Sequence, residues 1–428
     1  MGVPPGGGFG MPPGGLPGMP MGGGMPPGAF GGNPALLGQP AEFPNPAQRS
    51  KEPDSPFSIK DDGAPNAFSA DPYPYRPQRF QLLFGYTFMW FRPGNFPVLT
   101  TTGSPADLVP GAVDQAGTRV LSSGPREPGL SSAFRTKFTY WLRDPEILSL
   151  DGEFFVMEQR SLFKAFDSDS VGVPLIARPY FNPGFVTEDA DPRSLPGLTR
   201  ASVFDSVRSR FMGADMNLKW HSSVHAEGAH LAIFAGIRWL RLDERYYSDD
   251  TITGVGGIGF DTAISDTFTT YNQFFGGQLG AEYRYTLGRF SWDLGGKVAI
   301  GPNYQTIKIN GLTRQTDLVF GGTVTDDSTG LYAQPSNVGN YRTTQLAMAW
   351  EAGTKLNFDI TERLRFQVGY AFLYLNRTVR PGDQMDRIIN IQPLLAGNAI
   401  PPALPGPPTF RQSTFYAHML NLGLEFSY

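Results

Sequence analysis

From Phe80 onward, apolar and polar side chains alternate with a period of two, the pattern of strands whose two faces meet different surroundings. Phe80, Leu82, Phe84, Tyr86, Phe88 and Trp90 share the first apolar face. Phe134, Phe138, Tyr140 and Leu142 follow, then Leu148, Leu150, Phe154 and Val156, with Lys137, Asp151 and Glu153 turned the other way. Seven further segments repeat the pattern: Met212 to Trp220, Leu231 to Trp239, Tyr271 to Tyr285, Phe290 to Ile300, Leu346 to Phe358, Leu364 to Tyr374, and Tyr416 to Tyr428. Their apolar faces carry no Asp, Glu, Lys or Arg, while the opposite faces collect Arg238, Glu282, Arg284, Asp293, Lys297, Glu351, Lys355, Arg365 and Glu425. The periodicity predicts an all-β, antiparallel, up-and-down fold of about ten strands, with twelve as the alternative count.

Alternation alone does not say which face is wet, because a soluble sandwich and a membrane barrel share the period. The connections decide, since they alternate between short and long. Short ones lie at 143–146, 221–228, 286–289 and 359–361, and long ones at about 92–132, 160–205, 243–267, 310–342 and 379–412. Short turns at one rim and long loops at the other is the arrangement of a transmembrane β-barrel in an outer membrane. Aromatic side chains gather near both strand ends, as at two headgroup levels. Trp220, Tyr285, Trp292 and Phe358 lie toward the short turns, and Trp90, Trp239, Tyr271 and Tyr374 toward the long loops. Leu424, Phe426 and the terminal Tyr428 continue the alternation to the last residue, the form of a C-terminal insertion signal for the barrel-assembly machinery. The apolar faces are therefore expected against outer-membrane lipid, and the eight charged positions from Arg238 to Arg365 in the lumen, paired with one another.

No apolar run approaches the roughly 20 residues of a membrane helix. Residues 1–75 hold a large part of the 52 Gly and 39 Pro and show neither periodicity. They read as a disordered arm preceding a barrel over 76–428. No basic, apolar and small-residue sequence follows Met1, so an export signal is expected upstream of it. A net charge of -4 with scattered Lys and Arg gives no footprint for nucleic acid, and the lack of Cys excludes thiolate metal sites and cysteine nucleophiles.

Several stretches give the chain a specific resemblance over roughly residues 80–428. They include Phe91-Arg92-Pro93, the run from Pro97 to Gly103, Glu153 to Met157, Ala177-Arg178-Pro179, Gly236-Ile237-Arg238, Asn272 to Gln278, Gln334-Pro335-Ser336-Asn337, and Arg380 to Asp386. Together they resemble the putative beta-barrel porin-7 family of bacterial outer-membrane proteins. The resemblance implies a porin-like barrel in the outer membrane of a diderm bacterium, and an export signal, which is where this chain departs from it.

Candidate chemistry elsewhere is sparse. Gly254-Val255-Gly256-Gly257-Ile258-Gly259 fits G-x-G-x-x-G, but no helical pattern follows to receive a pyrophosphate, so a surface loop is expected. His221, His225 and His230 straddle a short turn and read as polar turn residues rather than metal ligands. A hydrolase would need a His at the long-loop rim, where only His418 falls, on the apolar face. No enzyme activity, metal or cofactor is expected. Arg380, Asp383, Asp386 and Arg387 form a charge cluster expected to fold a long loop internally. Ten strands leave little lumen once side chains fill it. The function expected is narrow or loop-occluded passage of small solutes; the alternative is a structural or adhesive surface barrel acting through its loops.

Overall fold

A computed structural model describes residues 79–428 except 127–128, 143–146, 224–227, 258, 319–321 and 391–403. The arm expected over 1–75 and the short turns at 143–146 and 224–227 lie outside the described residues. Sixteen strands appear among those described. They are β1 (Phe80–Phe91), β2 (Gly94–Thr102), β3 (Arg119–Arg126), β4 (Ser131–Trp141), β5 (Leu148–Met157), β6 (Arg160–Asp167), β7 (Ile176–Asn182), β8 (Thr187–Ser194), β9 (Thr199–Ser223), β10 (Ala229–Gly254), β11 (Phe260–Leu287), β12 (Phe290–Asp317), β13 (Thr323–Asp327), β14 (Gly339–Asp359), β15 (Leu364–Val379) and β16 (Gln412–Ser427). Among the described residues one 3-10 turn occurs, at Pro381–Gln384.

Ten of these close a ring in chain order: β1, β4, β5, β9, β10, β11, β12, β14, β15, β16 and back to β1, all antiparallel. Each contains one of the ten segments that the periodicity predicts. Closure runs from Gln81 opposite Ser427 to Phe91 opposite Ala417. It is completed by Phe80 and Tyr428, whose backbones exchange hydrogen bonds of 3.1 and 2.8 Å. The C-terminal alternation of Leu424, Phe426 and Tyr428 thus lies on the closing strand, with Leu424 and Tyr428 exposed on its outer surface. No edge is left open in the wall, which is what a membrane requires of a sheet.

Two of the predicted long loops are largely strand. β10 and β11 form one hairpin paired from Asp243 opposite Tyr271 to Thr253 opposite Asp261, so most of the stretch 243–267 is paired wall. Likewise β12 runs on to Asp317 and folds back through β13, covering much of 310–342. The four strands β9 to β12 are 25, 26, 28 and 28 residues long. A tilted membrane strand needs roughly 9–11 residues. About 15 residues of each therefore project beyond the bilayer, on the order of 40 Å at ordinary strand rise and tilt.

The alternation changes phase at the membrane boundary, which explains why these extensions read as loops. On β10 the outer face runs Leu231, Ile233, Ile237, Trp239 and then Arg241, Asp243 and Arg245. The inner face holds Arg238 within the membrane, then Leu240, Leu242 and Tyr246, each buried. Inside the bilayer the apolar side is outermost; above it water is outside and the apolar side turns inward. A face followed at fixed phase goes from apolar to polar at this point, and the strand seems to end. Within the Gly254–Gly259 motif, Gly256 and Gly257 adopt φ of 69 and 91 between the two strands, and strand β11 follows rather than a helix.

The remaining strands belong to the mouth. β3, β2, β7 and β8 form a separate four-stranded sheet, and β6 pairs with the projecting half of β9.

Candidate functional site: the lumen and the mouth

In the membrane-spanning half the lumen is charged throughout. Eight cations (Arg135, Lys137, Lys219, Arg238, Arg284, Lys297, Lys355 and Arg365) and eight carboxylates (Asp151, Glu153, Asp215, Glu282, Asp293, Glu351, Asp359 and Glu425) each make at least one ion pair. Arg284 grips Asp293 through two bonds of 2.7 and 2.9 Å. Lys297 lies 2.7 Å from Asp215 and 3.6 Å from Glu351, which also accepts from Arg238. Lys355 bridges Glu282 and Asp293 at 3.5 Å each, and Arg365 joins Asp359 at 2.5 Å to Glu425 at 3.4 Å. All eight positions read from the alternation therefore meet inside the barrel. Sequence reading gave no lumen role to Arg135, Asp215 or Lys219, which their neighbours on adjacent strands complete. Phe234 sits in the same layer with Lys219 Nζ 5.5 Å from its ring centre. Opposite it only glycine fits, since a Cβ at Gly280 would lie 2.3 Å from that ring. The layer surrounds a cavity of about 100 Å³.

Above the charged layer the inward side chains become apolar. Met89, Phe91, Phe155, Phe211, Leu240, Phe274, Leu373 and Phe415 are buried in one cluster drawn from strands all around the ring. Phe211 stands between Phe155 and Phe415 at 5.2 and 4.8 Å between ring centres, and Phe415 meets Phe91 at 5.7 Å. Each is offset by one position from the lipid-facing residues, where a reading for lumen charges does not look. A second cluster lies further out and joins wall residues Tyr246, Phe268, Ile307 and Ile309 to loop residues Phe96, Leu99, Tyr332 and Met385.

Buried polar contacts fasten these loops to the wall. Arg178 on β7, 1% exposed, donates to Asp250 on β10 at 2.9 and 2.5 Å and to Asp205 on β9 at 2.8 Å. It also donates to Thr100 Oγ1 and the Leu99 carbonyl at 3.0 and 3.2 Å. Arg193 adds a third bond to Asp250 at 2.8 Å, and Tyr246 donates to Asp205 at 2.8 Å. Burial alone would push the Asp205 carboxyl up, but Arg178, Tyr246 and Arg126 outweigh it and hold the group below the usual carboxylate range. Asp266 has no such cation in contact and caps the backbone N–H groups of Leu331, Tyr332 and Ala333 at 2.8–3.2 Å. Its burial outweighs those bonds and raises its pKa.

The cluster predicted at Arg380, Asp383, Asp386 and Arg387 does not close on itself. β15 leaves the wall at a bulge between Leu375 and Thr378, with Arg377 at φ 49, and the chain turns inward. Arg380 is thereby buried against Glu244 of the wall in a two-pronged pair of 2.8 and 2.6 Å, and also donates to the Arg92 and Pro93 carbonyls. Arg387 pairs with Glu188 on β8 at 2.6 Å. Asp386 caps Ile388 N at 3.0 Å, and burial raises the pKa of Asp383. The charges link loop to wall and loop to loop, because the carboxylates nearest to each Arg in space belong to other strands. Of the histidines, His221 lies against Ser149 and Trp141, His418 accepts from or donates to Tyr370 at 2.6 Å on the outer surface, and His225 falls outside the described residues. No group of three or more metal-ligating side chains occurs among the described residues.

A closed ring of ten antiparallel strands with an apolar exterior, a charged lumen and a loop-filled mouth defines an outer-membrane β-barrel. The sequence profile described as Putative beta barrel porin-7 (BBP7) matches residues 84–428, and the chain belongs to this family. No curated protein matches the sequence. Among solved structures the chain is similar to the outer-membrane protease OmpT of Escherichia coli, at 9% identity over 84% of this chain and 99% of that one, with a TM-score of 0.35. It is also similar to a Pseudomonas aeruginosa FadL homologue, at 8% identity, 82% and 90% coverage and a TM-score of 0.20. The translocator domain of the autotransporter NalP from Neisseria meningitidis matches at 7% identity, 83% and 90% coverage and a TM-score of 0.19.

Proposed function

We propose that this outer-membrane barrel is closed to solutes and serves as a rigid platform that carries its projecting wall and folded mouth as a surface for interaction. The observation that carries the reading is the apolar layer across the lumen, in which the rings of Phe91, Phe155, Phe211 and Phe415 pack against one another and Phe274 is buried in the same cluster. A passage for polar solutes would have to break this packing and leave the ion pairs beneath it partly unpaired, which is costly at low dielectric. The loop sheet fastened by Arg178 and Arg380 supports the same reading, since it is held by buried bidentate pairs rather than by exposed contacts that open readily. A catalytic role finds no support at the mouth, where Asp205 and Asp250 are committed to buried arginines. Liposomes carrying the refolded chain test the reading by osmotic swelling. They should exclude arabinose- and glucose-sized sugars as empty liposomes do, and swelling at the rate of a general porin would refute closure.

A further inference from the structure

We propose that the outer wall just above the long-loop aromatic girdle is a binding site for phosphate-bearing lipid headgroups of the outer leaflet. The switch from apolar to polar on the exterior takes place at one level on neighbouring strands. Trp239 gives way to Arg241 and Arg245 on β10, Met212 to Arg210 and Arg208 on β9, Tyr304 to Lys308 on β12, and Leu346 to Arg342 on β14. Strand register gathers five of these six cations into two rows, with Arg241 one pair below them beside Met212 and Gln273. One row reads Arg208, Arg245, Thr269, Lys308, and the next reads Arg210, Asp243, Tyr271, Thr306, Arg342.

The pairing of charge here departs from that of the lumen. In the lumen every cation has a carboxylate, and even the exposed Arg314 is matched to Asp326 at 2.8 Å. In the outer patch the one carboxylate, Asp243, is held by Arg241 at 2.9 and 3.0 Å. Arg208, Arg210, Arg245, Lys308 and Arg342 make no ion pair among the described residues. Arg208 and Arg245 stand directly opposite each other across two strands, an arrangement that repels unless an anion lies between them. Arg245 and Lys308 rest instead on tyrosine rings, 5.5 Å from Tyr247 and 5.4 Å from Tyr271. Ring contacts of this kind orient the cationic heads without neutralising them.

The level identifies the anion. Trp239, Tyr271 and Tyr304 lie at or just below the patch on the same strands, and such rings mark the headgroup zone of a bilayer. Cations at that height, turned away from the lumen, face lipid headgroups across less than a Debye length. Guanidinium forks suit phosphate oxygens in pairs. The patch spans four strand spacings, roughly 19 Å, enough for more than one phosphate. Nothing in this proposal depends on whether the lumen conducts.

Native mass spectrometry of the refolded full chain, with phosphatidylglycerol or phosphatidylcholine added to the detergent, tests it. We expect phosphatidylglycerol to bind at least tenfold more tightly than phosphatidylcholine. The R208Q/R245Q/R342Q variant should lose that preference and R314Q should keep it. Inorganic phosphate at matched concentration should fail to displace the lipid. Equal binding of the two lipids, retention of the preference in the triple variant, or displacement by inorganic phosphate would overturn the proposal. Should the triple variant fail to fold, wild-type binding at 50 and 500 mM salt decides instead. A severalfold loss of the phosphatidylglycerol preference at high salt is expected, and a preference indifferent to salt refutes the site.

Discussion

Replacing Arg178 with Met separates the mouth from the wall with little change in volume, and its effect can be worked from the contacts. The guanidinium is 1% exposed and joins β7 to Asp205 on β9 and Asp250 on β10. Removing one partner of a buried ion pair costs about 3–5 kcal/mol, because the remaining charge has no water to return to. Here Asp250 keeps Arg193 at 2.8 Å and Asp205 keeps Tyr246 at 2.8 Å, which places the cost at the low end, about 3 kcal/mol. At about 1.36 kcal/mol per decade that is on the order of a hundredfold in the population of an opened mouth. Amide hydrogen exchange on the refolded chain in vesicles should therefore show β7 and β8 exchanging about a hundredfold faster in R178M, with the membrane halves of β14, β15 and β16 unchanged. The pH dependence supplies a sign. Because the Asp205 carboxyl is held down in the folded mouth, its contribution is complete above the unfolded carboxylate pKa near 4 and is lost as pH falls through the folded value. Acid should thus speed opening in the wild type, and R178M should lose most of that acid sensitivity. A rise of less than about fivefold in β7, or an equal rise in β14, would refute the fastening role.

Other expectations follow from the faces and the closure. Arg at Val368, which faces lipid between Leu356 and Leu422, should cost about 2–4 kcal/mol in urea unfolding from vesicles, whereas Asn at lumen-facing Gln278 should cost clearly less. Equal tolerance at the two positions would reverse the assigned faces. Protease added to intact cells should cut at the exposed β13 near Asp326-Asp327, and cleavage only after permeabilisation would invert the topology. Deleting Tyr428 removes both backbone bonds that join it to Phe80 and should slow barrel closure, read as a lower folded fraction by gel mobility at fixed refolding time.

The strands of the membrane half were legible because one rule governs them: no charge on the lipid side, and the charges gathered on the other. Leu231, Ile233, Ile237 and Trp239 against Arg238 state it within nine residues. Past Trp239 the surroundings exchange places, and the same alternation reads as its own negation, which hid the upper halves of β10 to β12. The apolar lumen layer was hidden for a related reason. Met89 and Phe91 lie on the same strand as Phe88 and Trp90, and a continuous apolar run does not say which ring faces inward. Arg178 carried no local signal at all, because its carboxylates are 27 and 72 residues away and meet it only when the mouth folds. By contrast, Glu282 and Glu351 were legible at once, since each shares its inward phase with a cation, Arg284 or Lys355, in a segment, Tyr271 to Tyr285 or Leu346 to Phe358, whose other phase is free of charge.

Closure of the lumen is tested most directly by current through a planar lipid bilayer containing the refolded full chain. The packed rings of Phe91, Phe155, Phe211 and Phe415 over a fully paired charged layer predict a flat baseline at moderate voltage, with at most brief ion-sized flickers. Stable, stepwise openings of general-porin size in the wild-type chain would contradict it.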